Sequence, residues 1–437
     1  MKFREIFEID FLILLPVIIL MAIGVLFIYS SGITSDGTLV SNEYIRQIVW
    51  TSTGLVIALV LSFVNYRRFY DFALYPYLII LIPLLYTCIF GRMVHGTRWL
   101  RIGIFGIQAS EFAKIATIIF LARYLTDTKR NGDSFVRFLV SCFIVFVPMG
   151  IVLVQPDLGT ALVFIPILLS MTYVSGVSLR YVIFSISCIL LVGILTVLPL
   201  WQTHILQKSL SVLNILTNAR LIVIIIFALG LIMGIAMFGH YKYKKRYFYW
   251  MAYAFGIIVF SLGASYMVRG ILKDYQIMRL IVFIDPNIDP RGAGWNIIQS
   301  VTAIGAGGLT GRGYLMGTQS HYRFLPEQST DFIFSIFSEE AGFIGGLVVF
   351  ALFLIICLRL LRLTKLTTDT FAAYICAGLV GMFSFHFIIN VGMTMGIMPI
   401  TGIPLLFMSY GGSSLISAMF GIGLALSIYV RRYNYQK

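Results

Sequence analysis

Apolar runs of about 20 residues, separated by short polar stretches, succeed one another along most of the chain. A run of that length with few charges is enough to cross a bilayer as an α-helix. Helices satisfy their own backbone hydrogen bonds where no water is present. The pattern predicts about twelve such helices, over residues 11–30, 46–64, 72–90, 108–126, 135–154, 159–176, 180–200, 219–240, 247–269, 332–357, 371–393 and 412–430. The expected fold is therefore an all-α polytopic membrane protein. The first run is too long for a signal-peptide core and lacks a small-residue cleavage site, so it reads as a retained span.

One stretch breaks the rhythm. Residues 270–331 are expected to form a long loop, and Asp274, Asp285, Asp289, Glu327, Asp331, Glu339 and Glu340 fall in or just after it. Long ordered loops are uncommon and usually functional.

Composition agrees with the pattern: 59% of the 437 residues are hydrophobic and 11% charged, against roughly 45–50% and about 25% in soluble domains. Net charge is +14, but no basic run lies in a soluble domain with interleaved aromatics, so nucleic acid is not an expected partner. Lys and Arg instead mark cytoplasmic loops. An even number of spans puts both termini on one side. With the termini in the cytoplasm, the densest basic clusters, YKYKKR at 241–246, RLLR at 359–362 and Arg431-Arg432, are all inside, and 270–331 is outside. Cys88, Cys142, Cys188, Cys357 and Cys376 all lie in apolar runs without a CxxC and read as packing residues. His95, His204, His240, His321 and His386 show no metal spacing and read as packing or interface.

Five segments could carry chemistry. VTAIGAGGLTGRGYLMGTQ at 301–319 has no GK[ST] and no βαβ context, so it is neither a Walker loop nor a dinucleotide site. Its glycines permit either a tight loop with φ > 0 or close backbone approach to a ligand. Arg279, Arg291, Arg312 and Arg323 nearby would suit phosphate. In FLPEQSTDFIFSIFSEE at 324–340, Asp331 is placed at the start of a span. It could cap the helix or act as a general base in a partly desolvated site. At 100° per residue, Glu339 and Glu340 lie about 80° and about 180° from Asp331 around the helix, so the three cannot share one face. Glu111 and Lys114 in ASEFAKIA are i,i+3 neighbours able to pair, or to contact a substrate. Asp157 in QPDLGT is a turn and cap residue or a cavity wall. SYGGSS at 409–414, downstream of Pro399 and Pro404, reads as a broken or re-entrant segment.

These segments, in this order, resemble the SEDS family of shape, elongation, division and sporulation proteins. The resemblance rests on RWL at 98–100, SEFAKIA at 110–116, QPDLGTA at 155–161, DYQIMRL at 274–280, FIDPNIDPRGAGWNIIQS at 283–300, AIGAGGLTGRG at 303–313, GTQS, FLPE, STDFIFSIFSEEAG and GIPLLFMSYGGSS. GTQS followed by FLPE is similar to the rod-shape branch. The resemblance implies a peptidoglycan glycosyltransferase that polymerises lipid II on the outer face of the bacterial cytoplasmic membrane. It implies that the essential acid is Asp331 of TDFIF. Arg98, Glu111, Lys114, Asp157, Arg279, Gln299, Arg312, Gln319, Glu327 and Thr330 are expected to bind substrate, with Arg101 and Arg291 as further candidates for the departing pyrophosphate. A divalent cation, Mg or Mn, is a candidate helper. A class B penicillin-binding transpeptidase and other membrane proteins of an elongation complex are the implied partners.

The chain departs from the family pattern in places. Residues 201–246 look like an inserted helix pair added to a ten-helix core. Ser329 stands where His is frequent, Trp295 where Tyr is usual, and Leu406 where Pro is usual. Two rival functions remain open at this point: a lipid II flippase, for which the buried charges at 111 and 114 would suit a transport path, and a non-catalytic scaffold. The clustering of acids and glycines on one side favours the enzyme, because alternating access needs a site near the midplane.

Overall fold

In the computed structural model every one of the twelve predicted runs is helical. Residues 9–90, 99–102, 105–130, 132–202, 216, 218–272 and 274–432 are described. Nine helices among them are long and apolar enough to cross a membrane. These are α1 (Phe11–Ser31), α2 (Glu43–Phe63), α6 (Ser134–Val154), α8 (Leu179–Trp201), α9 (Ala219–Tyr243), α10 (Arg246–Ile271), α14 (Ile333–Leu366), α15 (Thr370–Thr394) and α16 (Gly412–Val430). Two more, α4 (Leu74–Phe90) and α7 (Leu158–Val174), are apolar but shorter. Helix α5 (Ala109–Asp127) carries Glu111, Lys114, Arg123 and Asp127, and its charge sets it apart from the others. Short α3 (Arg68–Phe72) and a two-stranded hairpin, β1 (Leu100–Ile102) with β2 (Phe105–Ile107), complete the first part of the chain.

Side-chain caps set several helix starts. Asp10, Asp133, Asp157, Asn218 and Asp369 each accept a hydrogen bond from a backbone N–H within three residues, answering one of the donors that a helix start leaves open. Pro16, Pro83, Pro148, Pro166 and Pro199 lie inside helices, as membrane helices tolerate when neighbours re-satisfy the freed carbonyls. Large apolar side chains such as Phe143, Leu190, Ile224, Phe227, Ile235, Phe343 and Leu347 are exposed along these helices. An apolar surface of that extent requires lipid, so the protein is a multi-pass membrane protein.

The chain divides into two compact units, residues 1–177 with 296–437, and residues 178–295. In the first, α16 packs on α2, α15 on α7, α14 and α5, and α1 on α14. Of its candidate spans, α15 and α16 are the most buried. In the second, α10 packs on α9 and α8. All five cysteines are unpaired.

The stretch 270–331 differs from the expected loop. It contains α11 (Asp274–Ile284), a 3-10 turn at Pro286–Ile288, α12 (Ala293–Gly307) and the single turn α13 (Thr318–His321). Its polar residues hide helices because each is shorter than a full span, and one-sided helices dilute the apolar signal.

Candidate active site

Asp331 precedes helix α14 rather than capping it. The first helical residue is Ile333 and the N-cap is Phe332, which makes no side-chain cap bond. The turn holding Asp331 is fixed by its backbone. Its N–H donates to the Glu327 carbonyl at 3.2 Å, and the Phe332 N–H donates to the same oxygen at 3.4 Å. The Asp331 carbonyl accepts from Asn390 Nδ2 at 3.0 Å. Two residues back, the Ser329 carbonyl accepts from the Tyr410 N–H at 2.8 Å. Phe332 is buried beside it while Asp331 is half-buried, so the acid sits on a rigid turn with access to solvent. Glu327 is exposed, has a left-handed φ of 51° and accepts from Thr330 Oγ1 at 3.3 Å. Thr330 and Glu327 therefore shape the turn.

Asn390 joins this turn to the non-helical segment before α16. Its Nδ2 also donates to the Ile403 carbonyl at 2.8 Å. One turn earlier on α15, His386 places Nδ1 3.1 Å from the Pro404 carbonyl and Nε2 3.0 Å from Lys114 Nζ. The carbonyl can only accept, so Nδ1 carries the proton and Nε2 accepts from the lysine. Lys114 in turn donates to Glu111 at 2.8 Å, both side chains being buried. Residues 403–408 are held in protein by burial of Ile403, Leu405, Leu406, Phe407 and Met408. Gln47 clamps the next turn, donating to Ser409 O at 3.2 Å and accepting from the Gly411 N–H at 3.4 Å. The broken segment expected here is thus present and enclosed.

Glu339 and Glu340 are buried and occupied. Glu339 accepts from Thr318 N at 2.8 Å, Thr318 Oγ1 at 2.9 Å and Gln319 N at 3.1 Å. Glu340 accepts from Ser30 Oγ at 2.5 Å and Leu315 N at 2.9 Å. Successive helix positions point in different directions, yet both acids meet residues 315–319 because that segment wraps across the helix. Burial and the Glu340 charge push the Tyr314 phenol above its usual range, keeping it protonated to donate to the Leu26 carbonyl at 3.0 Å.

Gly307, Gly311 and Gly342 each lie against backbone. Helix α14 breaks at Gly342, with φ 68° and ψ −167°. Into this break fits 307–313: Arg312 N donates to Glu339 O and Gly313 N to Glu340 O, both at 3.0 Å, and Phe343 N donates to Gly308 O at 2.9 Å. A Cβ on Gly307 would overlap the Ser338 carbonyl, and one on Gly342 the Gly311 nitrogen. Arg312 is pinned here, donating to Thr318 Oγ1 at 2.9 Å and lying 4.0 Å from Glu339. Gln319 is held by its backbone, and its Oε1 is buried without a partner among the described residues. A groove of about 450 Å³ opens beside this segment, with Thr34, Ser35, Thr318 and His321 in its walls.

Asp157 caps α7 through Thr160 N at 3.2 Å and accepts from Gln108 Nε2 at 2.9 Å. Gln299 lies half-buried on α12. Arg279, on α11 in the 178–295 unit, stacks over Tyr275 with its guanidinium 5.6 Å from the ring centre, and Arg291 in the same unit is exposed. Arg98 lies outside the described residues. The structure thus brings Asp331, Glu327 and Thr330 into one turn, Arg312, Gln319 and Glu339 into another, and Glu111 with Lys114 into a pair. Among the described residues no three His, Cys, Asp or Glu side chains group so as to hold a metal.

Comparison with known proteins completes the picture. Residues 10–220 and 200–434 match the family of cell cycle proteins that takes in FtsW, RodA and SpoVE. The peptidoglycan glycosyltransferase RodA of Treponema pallidum is 48% identical over 434 residues, covering 99% of this chain and all of that one. The peptidoglycan glycosyltransferase MrdB of Escherichia coli K12 is 33% identical over 394 residues, covering 89% of this chain and 85% of that one. A solved chain from a peptidoglycan synthase complex superposes with a TM-score of 0.64 at 24% identity, covering 98% of this chain and 99% of that one. The rod shape determining protein RodA of Thermus thermophilus superposes with a TM-score of 0.58 at 22% identity, covering 97% and 98%. These likenesses establish the fold, and the sequence matches establish the family: the chain belongs to the SEDS family of FtsW, RodA and SpoVE cell cycle proteins.

Proposed function

We propose that this chain is a peptidoglycan glycosyltransferase that polymerises lipid II into glycan strands for cell elongation, with Asp331 as its general base. The observation that carries the reading is the full-length 48% identity to a peptidoglycan glycosyltransferase, combined with an acid held on a rigid turn ahead of a membrane helix. Asp331 takes the proton from the 4-hydroxyl of the acceptor sugar. The oxygen attacks the anomeric carbon of the donor, the lipid pyrophosphate leaves and configuration inverts. A positioned base contributes about 10²–10⁴-fold. Backbone anchoring on both sides of Asp331 supports the role, because misplacement of the base by an ångström is costly.

Thr330, Glu327, Gln299 and Gln319 are the polar candidates for sugar contacts, and Arg98, Arg279 and Arg312 for the pyrophosphate. Glu111, Lys114 and Asp157 act by holding α5 and α7 in place. A divalent cation would supply positive charge to the departing pyrophosphate. The termini are cytoplasmic, residues 270–331 face outward, and 201–246 is an addition to a ten-helix core. A class B penicillin-binding transpeptidase and other elongation-complex proteins are the partners, an assignment supported by the likeness to a chain of a peptidoglycan synthase complex.

Purified chain given fluorescent lipid II in detergent tests the reading, since detergent leaves no bilayer to flip across. Glycan ladders from the unaltered chain and none from Asp331→Asn are expected. Ladders from both would remove Asp331 from the role, and ladders from neither would remove the activity.

A further inference from the structure

The turn between α9 and α10 carries exposed cations with no carboxylate partner among the described residues. No Asp or Glu occurs between Asp157 and Asp274. Within the 178–295 unit, Lys242, Lys244, Lys245 and Arg246 are exposed around a two-residue turn in which Lys244 takes a left-handed φ of 53°. Arg180 joins them from the start of α8. Its guanidinium lies 5.3 Å over the Tyr249 ring, and its carbonyl accepts from Tyr253 Oη at 2.8 Å. Arg180 and Arg246 stand in the first turns of α8 and α10, where the helix dipole disfavours a cation. Lys242 and Lys244 close α9, where the dipole favours a cation, so the helix ends account for those two but not for Arg180 and Arg246.

Several terminal cations of the other unit have partners within it. Arg67 pairs with Asp369 at 2.9 Å, Arg359 with Asp10 at 2.5 Å and Arg123 with Asp127 at 3.7 Å, while Arg431 donates to the Ser62 and Phe63 carbonyls. Cations left without such partners call for an anion from outside. Around them stand exposed Tyr241, Tyr243, Tyr247 and Trp250, side chains that favour the membrane–water boundary. The flanks of α9 and α10 are apolar and exposed, which places the cluster where a lipid phosphate lies.

We propose that this end of the 178–295 unit binds the headgroups of anionic phospholipids, the phosphodiester meeting Arg180, Lys242, Lys244, Lys245 and Arg246 and the acyl chains lying along α9 and α10. A membrane-proximal basic cluster of this density attracts acidic lipid with a strength that grows with each charge. The proposal is independent of the glycosyltransferase reading.

The full chain in nanodiscs of equal phosphatidylglycerol and phosphatidylcholine, released into native mass spectrometry, tests it. The unaltered chain is expected to retain phosphatidylglycerol over phosphatidylcholine by roughly tenfold. K242Q/K244Q/K245Q/R246Q should bring the ratio near parity, and R123Q should leave it unchanged. Unchanged enrichment in the quadruple variant overturns the proposal. Because removing positive charge can disturb insertion, a second measurement leaves the cluster intact: quenching of Trp250 fluorescence, taken as the difference from W250F, by brominated phosphatidylglycerol and by brominated phosphatidylcholine. Stronger quenching by the anionic lipid supports the site. Equal quenching overturns it.

Discussion

A single amide, Asn390 Nδ2, holds the main chain of Asp331 and the main chain of Ile403 together, at 3.0 and 2.8 Å. Both of its protons are used, and both carbonyls lose a partner if it is removed. Asn390→Ala is expected to lower polymerisation turnover by about 10²-fold through misplacement of the acid, with little change in KM for lipid II. Asn390→Asp should do at least as much harm, since it sets oxygen against two carbonyl oxygens. Steady-state kinetics on fluorescent lipid II decides it, and a variant as active as the unaltered chain would sink the positioning role.

Lys114 and Glu111 form a buried ion pair whose halves are costly apart. Lys114→Met leaves a buried carboxylate uncompensated, a loss of roughly 3–5 kcal/mol in comparable pairs. The double variant Glu111→Gln with Lys114→Met should recover most of that stability. Thermal unfolding in detergent separates the two outcomes. A single variant as stable as the double would show that the pair is not what anchors α5.

Asp157 is a cap and a partner of Gln108. Asp157→Ala is therefore expected to cost about 1–2 kcal/mol of stability while the surviving folded protein keeps its KM. A raised KM with unchanged melting temperature would return Asp157 to the substrate-binding residues.

Among the glycines the outcome depends on position. Gly305 meets nothing within 4 Å of an added Cβ, so Gly305→Ala is expected to be tolerated, whereas Gly307→Ala and Gly342→Ala drive a methyl into backbone. Expression yield and size-exclusion profile of the three variants should sort them, with Gly305→Ala alone resembling the unaltered chain.

The helices were legible because length and apolarity suffice to mark a span, and all twelve runs are helical. The same criterion passes over α11, α12 and α13, which are short or one-sided. The motif singles out Asp331, but it does not mark the residues that hold its turn. Asn390 and His386 are four residues apart on one face of α15, and polar side chains in an apolar helix are expensive. That spacing is a usable signal, stronger than either residue alone; His386 by itself reads only as packing or interface. Glu339 and Glu340 could be expected to be structural. Their partners could not, because backbone amides of residues 315–319 carry no side-chain signature.

The break at Gly342 is closed by a segment made some 30 residues earlier in the chain. During synthesis 307–313 emerges first and keeps its amides hydrated. Helix α14 brings with it a gap that is unsatisfied in hydrocarbon. Neither half is at rest alone, so lateral release of α14 into the membrane and desolvation of the glycine segment become one event in biogenesis. A substitution on either side should then be met as a failure of insertion, seen by the cell's membrane quality control before it is ever seen as a slow enzyme.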